Sequence, residues 1–283
     1  MAINGAVDNS SPQHPFKGNQ EAITRPDWVR KHDDEIRARN LLAYILKPSD
    51  YAEKVKRVSA DAVIIEDKYP KAQVHLLVLP KWQPHRDMHP HDAFEDPDFL
   101  SMVRAEAAIG LQIAIGMLRA KMQRTLKKGG SKQTEVDSML SRRDFTKDFQ
   151  IGIHAHPSQH ELHVHIISRD MLSSHEYSSR HYNAFNTPFL VPLKVYPLPT
   201  DDMRRETKFQ NANLTRDLFQ CWRCGKDYAD DWKGMKEHLR KEWPLWVAED
   251  PEEHTRGPDN PQAQAVEFGR LPTKDIDDTP VAI

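Results

Sequence analysis

The spacing of apolar and polar residues predicts four β-strands in the first two thirds of the chain. Two short apolar runs, Ala62–Glu66 and Val74–Pro80, lie on either side of a turn that contains Pro70, and together they predict a β-hairpin. Residues 149–157 and 162–170 alternate between apolar and polar positions around a short polar turn. This alternation predicts two further strands that lie next to each other.

Two other segments have helical spacing of their apolar residues. The segment from Trp28 to Leu46 is apolar on one face and stops before Pro48, and the segment from Phe99 to Met122 contains no proline and predicts the main helix. Residues 125–147 are polar and contain a Gly-Gly pair, which indicates a surface insertion. We expect disorder in residues 1–27 and in the acidic tail 247–283, since neither has enough apolar residues to form a core.

Composition narrows the class of protein. The chain has 283 residues, 38% hydrophobic residues and a formal net charge of -2, so any surface for nucleic acid must be local. The sequence shows no signal peptide and no apolar run that approaches a membrane span, which favours a soluble intracellular protein without membrane contact. The two cysteines, Cys221 and Cys224, form a C-x-x-C pair, which in such a setting indicates metal binding or redox chemistry.

The stretch HAHPSQHELHVHIIS contains five histidines between residues 154 and 165. In a strand, side chains two apart share a face, so Glu161, His163 and His165 are predicted to point away from the apolar residues between them. Burying these groups together with nothing to bind is costly, so the face is expected to hold a phosphate or a metal. Histidines on the surface of an edge strand are the third alternative.

The motif HVHII, with HAHPS upstream, resembles the histidine-triad (HIT) superfamily pattern. The resemblance implies an α+β fold, an antiparallel sheet with helices, and a covalent nucleotidyl intermediate on the middle histidine, which corresponds to His163. His165 corresponds to the third histidine. The first position of the triad is occupied by Glu161, where the family pattern has histidine. If that position only orients its neighbour, the activity survives, whereas a phosphate contact at that position would be weakened by the carboxylate.

The segments VIIEDKYPKAQVHLLVLP, GIHAHPS, ISRD, HYNAFNTPF and HLRKEW are similar to aprataxin segments in the same order. This resemblance implies a nuclear hydrolase of single-strand break repair that removes AMP from adenylated DNA 5′ ends, with removal of 3′ guanosine caps as a related activity. No cofactor is expected for catalysis, and the protein is expected to be a monomer. The implied roles are proton transfer for His154 and substrate contacts for a further set of residues, which are Ser158, Lys68, Lys71, His75, Leu41 and Glu161.

The segment FQCWRCGKDYADDWKGMKEHLRKEW has the spacing of a zinc finger. Cys221 and Cys224 are followed by His238 and Glu242, which are four residues apart on a predicted helix and therefore share one face. Glutamate as the fourth ligand is unusual, and it resembles the variant finger of some fungal aprataxins. The spacing predicts one structural zinc, and a redox role of the cysteines is the weaker alternative because no thioredoxin-like pattern surrounds them.

The predicted organisation is a HIT catalytic domain over residues 28–200 and a C2HE-type zinc finger over 201–246. We expect no forkhead-associated module before residue 28. A composite DNA surface is predicted from basic and polar residues of both units, which are Arg180, His181, Asn183, Lys233, Lys236 and Arg240. Two alternatives stay open: a general HIT hydrolase of dinucleoside polyphosphates or phosphoramidates, and a DNA-end-binding protein whose catalysis is weakened at Glu161.

Overall fold

The computed structural model describes residues 41–173, 175, 178–206, 208–209 and 219–251. The segment 1–27, most of the predicted helix from Trp28 and the tail beyond residue 251 lie outside these ranges. In the described ranges the helices are α1 Leu42–Leu46, α2 Pro90–Ala93, α3 Pro97–Lys128, α4 Gln133–Arg142, α5 Ser179–Asn186 and α6 Trp232–Val247. The strands are β1 Val55–Val58, β2 Ala62–Glu66, β3 His75–Pro80, β4 Phe149–His154, β5 Val164–Ser168 and β6 Leu190–Pro192.

One antiparallel sheet contains these strands in the order β1-β2-β3-β5-β4-β6. The predicted hairpin is β2 and β3, and the predicted histidine-rich pair is β4 and β5. His165 lies opposite Leu77 of β3 and opposite Gly152 of β4. The predicted antiparallel sheet is therefore confirmed, and His165 occupies a central strand with neighbours on both sides.

The long helix α3 covers one face of the sheet. Asp96 caps it, because its carboxylate accepts hydrogen bonds from the N–H groups of Asp98 and Phe99. A Cβ atom at Gly110 would lie 2.5 Å from Cδ1 of Ile166, so the close approach of helix and strand favours glycine there. The first turn of the helix begins at Pro97, two residues before the predicted start.

Helix α3 is also apolar enough to be compared with a membrane span. It has 32 residues and a mean hydropathy of 1.3 over an 18-residue window, so length and composition alone would allow it to cross a membrane. The sequence analysis predicted no such segment. Because the helix contacts β2, β3 and β5 through its buried residues, we interpret it as the core helix of the domain.

The opposite face of the sheet is covered by the short helix α1. Leu41 and Ile45 pack there against alternate residues of β2 and β3, which are Val63, Ile65, Leu77 and Leu79. The residues that alternate with them, Ala62, Ile64, Leu76 and Val78, point towards α3. Because of this alternation, one face of β2 and β3 lies beside α1, and a cavity opens there.

Residues 125–147 differ from the predicted surface insertion. Helix α3 continues to Lys128, and α4 buries Val136 and Leu140. The buried Arg143 pairs with Asp148 through two hydrogen bonds of 2.8 and 2.9 Å and donates a third, of 3.0 Å, to the carbonyl of Trp246 in α6. This segment therefore holds the C-terminal unit against the sheet domain. Two buried residues in a ten-residue helix were too few to predict that packing.

A second histidine group connects three segments outside the strands. The ring centroids of His89, His91 and His156 are 4.5 to 6.2 Å apart. Nε2 of His91 donates to the carbonyl of Arg204 at 3.2 Å, so Nδ1 accepts from the hydroxyl of Tyr196 at 3.1 Å. Burial lowers the pKa of His91 to about 3 and that of His89 to about 4. These imidazoles are therefore neutral near physiological pH.

Because His91 is buried and neutral, we expect the folded protein to lose stability in acid. Its folded-state pKa lies below the ordinary value, so its contribution is complete above about pH 6.5 and is lost as the pH falls towards about 3. We expect His91→Asn to unfold more easily than wild type at about pH 7.5. The difference in free energy of unfolding between wild type and His91→Asn should be smaller by up to about 3 kcal/mol at about pH 4.5 than at about pH 7.5. Urea unfolding at both pH values measures it, and a difference that does not change with pH would contradict the prediction.

Candidate active site and metal centre

A cavity of about 520 Å³ opens beside α1 on the sheet face opposite α3. Its volume is in the range of small-molecule sites. Nine residues that the sequence singled out line it, and they come from the residue preceding α1, the β2–β3 loop, β3, β4, the loop before β5, β5 and α5: Leu41, Lys68, Lys71, His75, His154, Ser158, His163, His165 and His181. The fold thus brings together side chains that are more than 100 positions apart in the chain.

A backbone carbonyl sets the protonation of His163, which lies just before β5. Its Nδ1 donates to the carbonyl of Glu161 at 2.8 Å, because a carbonyl only accepts. Burial lowers the pKa of His163, so the ring is neutral and Nε2 carries a lone pair. A neutral imidazole with an available lone pair can act as a nucleophile or as a base.

The neighbours of His165 place its proton on Nε2, whereas the proton of His163 is on Nδ1. The N–H of Lys71 donates to Nδ1 of His75 at 3.3 Å, so the proton of His75 lies on Nε2, which donates to Nδ1 of His165 at 2.9 Å. His165 therefore carries its proton on Nε2, a buried atom without a hydrogen-bond partner in the described residues. Burial lowers the pKa of His75 to about 4 and lowers that of His165, so both rings are neutral. His165 is an N–H donor beside the lone pair of His163.

Asp67 stands at the outer end of this chain of rings. Its Oδ2 lies 3.4 Å from Nδ1 of His75, longer than an ordinary N–H···O hydrogen bond. Donor atoms of Asp67, His75 and His165 lie within 4.8 Å of one another, close enough for a cation. Two of the nitrogens in this group are joined by the His75–His165 hydrogen bond. The prediction that catalysis needs no cofactor stays a prediction.

His154 ends β4 and completes the group of rings. Its centroid is 4.5 Å from that of His165, and it makes a hydrogen bond to the backbone of Ala184. Burial and then the neighbouring His163 and His75 lower its pKa well below the ordinary value. Nε2 is buried without a partner in the described part of the chain. The neutral ring suits a base for water, and an acid role requires that it first take up a proton.

The rest of the cavity wall has a polar and an apolar part. Lys68 and Lys71 lie on the loop between β2 and β3 with Tyr69 between them, and their ammonium groups are 5.4 and 5.9 Å from its ring centroid. Ser158 lies in the loop before His163 and is exposed. Cationic and hydroxyl donors of this kind bind phosphate oxygens. The apolar part is formed by Leu41, Tyr44, Tyr51, Ile65 and Leu77.

Glu161 differs from its predicted position. The strand begins at Val164, so the alternation that would place Glu161 beside His163 does not reach it. Its buried carboxylate accepts a hydrogen bond of 3.3 Å from the N–H of Leu41 and does not line the cavity. Glu161 therefore acts on the site through its carbonyl on His163 and through its carboxylate on the residue preceding α1. The assignment of its side chain as a substrate contact is wrong for this structure.

Phe185 of α5 is a site residue that the sequence analysis missed. Its ring centroid lies 5.3 Å from that of His75, 4.8 Å from that of His154 and 5.1 Å from that of His165. The signal was present in HYNAFNTPF, but only the polar residues of that segment were singled out. Because Phe185 packs against three of the site's rings, it excludes water from them and holds their positions.

The residues predicted to contact DNA have different surroundings. Arg180 and His181 are exposed, and His181 lines the cavity, whereas Asn183 is 3% exposed. A direct contact of the Asn183 side chain with DNA is therefore wrong for this structure. On α6, Lys233 and Arg240 are exposed, and the Lys236 ammonium lies 5.9 Å from the ring centroid of Trp232. The roles of these exposed residues stay predictions.

Three of the four predicted metal ligands come together. Donor atoms of Cys221, Cys224 and His238 lie within 4.8 Å of one another, and Sγ of Cys224 is 3.3 Å from Nε2 of His238. Sulfur and nitrogen ligands of one tetrahedral zinc are about 3.5 Å apart, given bonds of about 2.3 and about 2.0 Å. Burial raises the pKa of Cys221 to about 12, so a cation is needed to stabilise its thiolate. These residues fit a structural zinc.

Glu242 lies beside this group but is shared with an arginine. Its Oε1 is 3.4 Å from Nε2 of His238, while its Oε2 accepts a hydrogen bond of 2.5 Å from Arg223, which lies between the two cysteines. One carboxylate oxygen is thus fixed by Arg223, and the other faces the His238 ligand atom. Hydrogen bonds of this kind orient metal-binding carboxylates. The arrangement leaves Oε1 as the ligand atom that Glu242 would offer.

Comparisons with known proteins agree with both units. The HIT domain model matches residues 53–172, and the model described as C2HE / C2H2 / C2HC zinc-binding finger matches residues 186–244. An aprataxin-like protein of Schizosaccharomyces pombe is 26% identical over 221 residues, 78% of this chain and 88% of the relative. An aprataxin-like protein of Saccharomyces cerevisiae is 27% identical over 203 residues, which are 71% of this chain and 93% of the relative. The chain is therefore similar to aprataxin-like proteins over most of its own length and most of theirs.

Solved structures confirm the fold expected of an aprataxin. The aprataxin orthologue Hnt3 in complex with DNA has a TM-score of 0.59 and 23% identity over 75% of this chain and 97% of its own. Hnt3 in complex with DNA and guanosine has a TM-score of 0.58 and 24% identity over 74% of this chain and 97% of its own. The predicted HIT domain followed by a zinc finger is therefore confirmed.

The metal centre predicts a role for Glu242 that can be measured. We expect purified protein to contain about one zinc per chain, and Glu242→Ala to weaken zinc binding by at least about 10-fold because it removes a ligand that Arg223 holds in place. Competition with a chromogenic chelator measures the affinity. Glu237→Ala is the matched control, since Glu237 is an exposed residue on the same helix and pairs with Lys241. Equal affinities for the Glu242 variant and wild type would refute the ligand assignment.

Proposed function

We propose that the protein is a DNA deadenylase that hydrolyses the bond between AMP and the 5′-phosphate of an adenylated DNA end. The observation that carries this proposal is the opposite protonation of two adjacent histidines in one cavity. His163 offers a lone pair at Nε2, while His165 offers an N–H. A nucleophile beside a hydrogen-bond donor is the arrangement that attack on a phosphate requires.

The first step transfers AMP to the protein. Nε2 of His163 attacks the phosphorus of AMP, a P–N bond forms, and the P–O bond to the DNA 5′-phosphate breaks. The electron pair of that bond leaves with the DNA phosphate. His165 donates to a non-bridging oxygen, and the Lys68 and Lys71 ammonium groups offset the charge of the pyrophosphate. Both lysines line the same cavity, so the charge is compensated where it develops.

The second step releases AMP. Water attacks the phosphorus, the P–N bond to His163 breaks, and AMP leaves with the water oxygen. His154 is suited to accept the proton of that water because its ring is neutral and Nε2 has no partner in the described residues. In the first step the negative charge of the bound substrate favours proton uptake by His154, which then protonates the leaving phosphate.

The two parts of the cavity wall agree with a nucleotide substrate. The aromatic pair Tyr44 and Tyr51 has centroids 4.3 Å apart, and with Leu41 it forms an apolar wall for the adenine. The polar wall lies on the side of the histidines and binds the phosphates. The sugar is expected between them, with the DNA strand leaving the cavity past the exposed Arg180 and His181.

Relatives support DNA as the partner. Hnt3 has been solved in complex with DNA and in complex with DNA and guanosine, and the second complex supports removal of 3′ guanosine caps as a second activity of this chain. We propose that residues 28–200 form the catalytic domain and that the finger over 201–246 binds DNA through Lys233, Lys236 and Arg240. A nuclear monomer of single-strand break repair fits this activity.

His163 provides the decisive test. We expect wild type to release AMP from 5′-adenylated nicked DNA and His163→Ala to be at least about 1,000-fold slower, because the nucleophile is removed. AMP release measured on denaturing gels gives the rates. His160→Ala is the matched control, as His160 is on the same loop, outside the cavity, and faces Asp87 at 3.7 Å.

The same assay also tests the alternative activity. Wild type that cleaves diadenosine polyphosphate but leaves adenylated DNA intact would refute the deadenylase and favour a general HIT hydrolase. Wild type that binds the DNA end and cleaves neither substrate would favour the DNA-end-binding protein. Turnover of adenylated DNA that persists in His163→Ala would remove the nucleophile from the proposal.

We expect substitution of Glu161 to have a small effect on the chemical step. The carbonyl that orients His163 is present in any residue, so Glu161→Gln is expected to change kcat by less than about 5-fold. Glu161→Ala also loses the hydrogen bond to Leu41 in the apolar wall, so its KM should rise more than its kcat falls. Steady-state kinetics on adenylated DNA separate the two effects. A gain of more than about 10-fold in kcat for Glu161→His would show instead that the carboxylate limits the reaction.

A further inference from the structure

We propose that Tyr182 is a positioning residue that couples the occupancy of the zinc site to the arrangement of the active-site histidines. The inference rests on the proposed function for the roles of those histidines. The coupling itself is a property of the structure, because one helix, α5, contacts both sites. Tyr182 of this helix contacts the finger, and Phe185, about one turn further along, lines the cavity.

The hydroxyl of Tyr182 holds the backbone on both sides of Cys221. It donates to the carbonyl of Gln220 at 2.8 Å and accepts from the N–H of Trp222 at 3.1 Å. The residue is 1% exposed, and its bond to the N–H of Trp222 is buried away from bulk water. A tyrosine hydroxyl has one proton to donate, and here it also serves as an acceptor. The position of the Cys221 backbone is therefore tied to α5 by two hydrogen bonds.

The ring of Tyr182 also contacts the other half of the metal centre. Its centroid is 5.9 Å from that of Trp232, the first residue of α6, and Trp232 packs on Phe219 at 5.4 Å. The same helix carries His238. Tyr182 thus touches the segment that provides the cysteines and the helix that provides the histidine. Zinc would join these two segments, and Tyr182 would connect both to α5.

The next turn of α5 supports the active site. Phe185, three residues after Tyr182, packs against the rings of His75, His154 and His165 at centroid distances of 4.8 to 5.3 Å. His154 is also hydrogen-bonded to the backbone of Ala184 in the same helix. A shift of α5 would therefore move the packing of three rings at once.

Two side-chain hydrogen bonds make α5 a stiff connection. The side-chain amide of Asn186 donates to the backbone carbonyl of Tyr182 at 2.9 Å. The hydroxyl of Thr187 donates to the backbone carbonyl of Asn183 at 2.7 Å. The second bond satisfies a carbonyl of the last turn, and the first adds a side-chain donor to a carbonyl one turn before the helix end. With its C-terminal turn closed in this way, the helix transmits a displacement at Tyr182 to Phe185 instead of bending between them.

Amide hydrogen exchange tests the coupling without any substrate. We expect removal of zinc from wild type with a chelator to speed exchange of residues 179–186 by about 10-fold, because the backbone partners of Tyr182 lose their support. Helix α1, at the opposite side of the cavity, is the internal reference and should not change. No acceleration in residues 179–186 would overturn the proposal, and this arm needs no variant.

Tyr182→Phe tests the same link with zinc present. The variant keeps the ring against Trp232 but loses both hydrogen bonds, so residues 179–186 should exchange about 10-fold faster while the zinc content stays at about one per chain. Tyr196→Phe is the matched control, because it removes another buried tyrosine hydroxyl, which contacts His91 away from α5. Equal exchange in the two variants would overturn the role of Tyr182.

Kinetics separate this inference from the proposed function. On adenylated DNA, zinc-loaded Tyr182→Phe should lose about 10-fold in kcat with a change of less than about 3-fold in KM, because Lys68 and Lys71 are not attached to α5. A protein inactive on adenylated DNA would refute the deadenylase, while the exchange data would still decide the coupling. Full activity of Tyr182→Phe together with normal exchange would leave the deadenylase intact and refute the coupling.

Discussion

The active site depends on the neutrality of buried imidazoles. His75, His154, His163 and His165 are packed so closely that a positive charge on any one would raise the energy of the others. Burial keeps each ring neutral, and a neutral ring has one N–H and one lone pair. What distinguishes the four residues is therefore which nitrogen holds the proton. The hydrogen-bond partner of each ring decides it.

Those partners belong mostly to the backbone. The carbonyl of Glu161 assigns the proton of His163, and the N–H of Lys71 assigns that of His75, which in turn assigns that of His165. Backbone groups are present whatever the side chain. A carboxylate at the first triad position is therefore compatible with the arrangement of the other histidines, and the Glu161 side chain is free to fix the residue preceding α1 instead.

In the described residues the zinc finger packs on the HIT domain through buried contacts. The Arg143–Asp148 pair fixes α6 through the carbonyl of Trp246, and Tyr182 fixes the segment around Cys221. Both anchors are buried, and their hydrogen bonds have defined directions, so the finger has one orientation on the sheet domain. The proposed DNA surface across both units depends on this fixed orientation, since it sets the distance from the finger to the cavity.

The sequence by itself determined four of the six described strands, the pairing within each predicted pair, the main helix and most of the residues of the site. Alternation with a period of two identified the strands and the inner face of β5, because the core faces one side of a sheet. The spacing of Cys221, Cys224 and His238 identified the metal group, because its ligands are local in the chain. The tertiary structure decided what depends on contacts between distant segments. The turn of Glu161 away from the cavity, the placement of Phe185 among the rings and the docking of residues 125–147 on α6 are of this kind. A local pattern states which face of an element is buried, but not which distant residue it meets there, and the protonation of His165 follows from such a distant partner, His75.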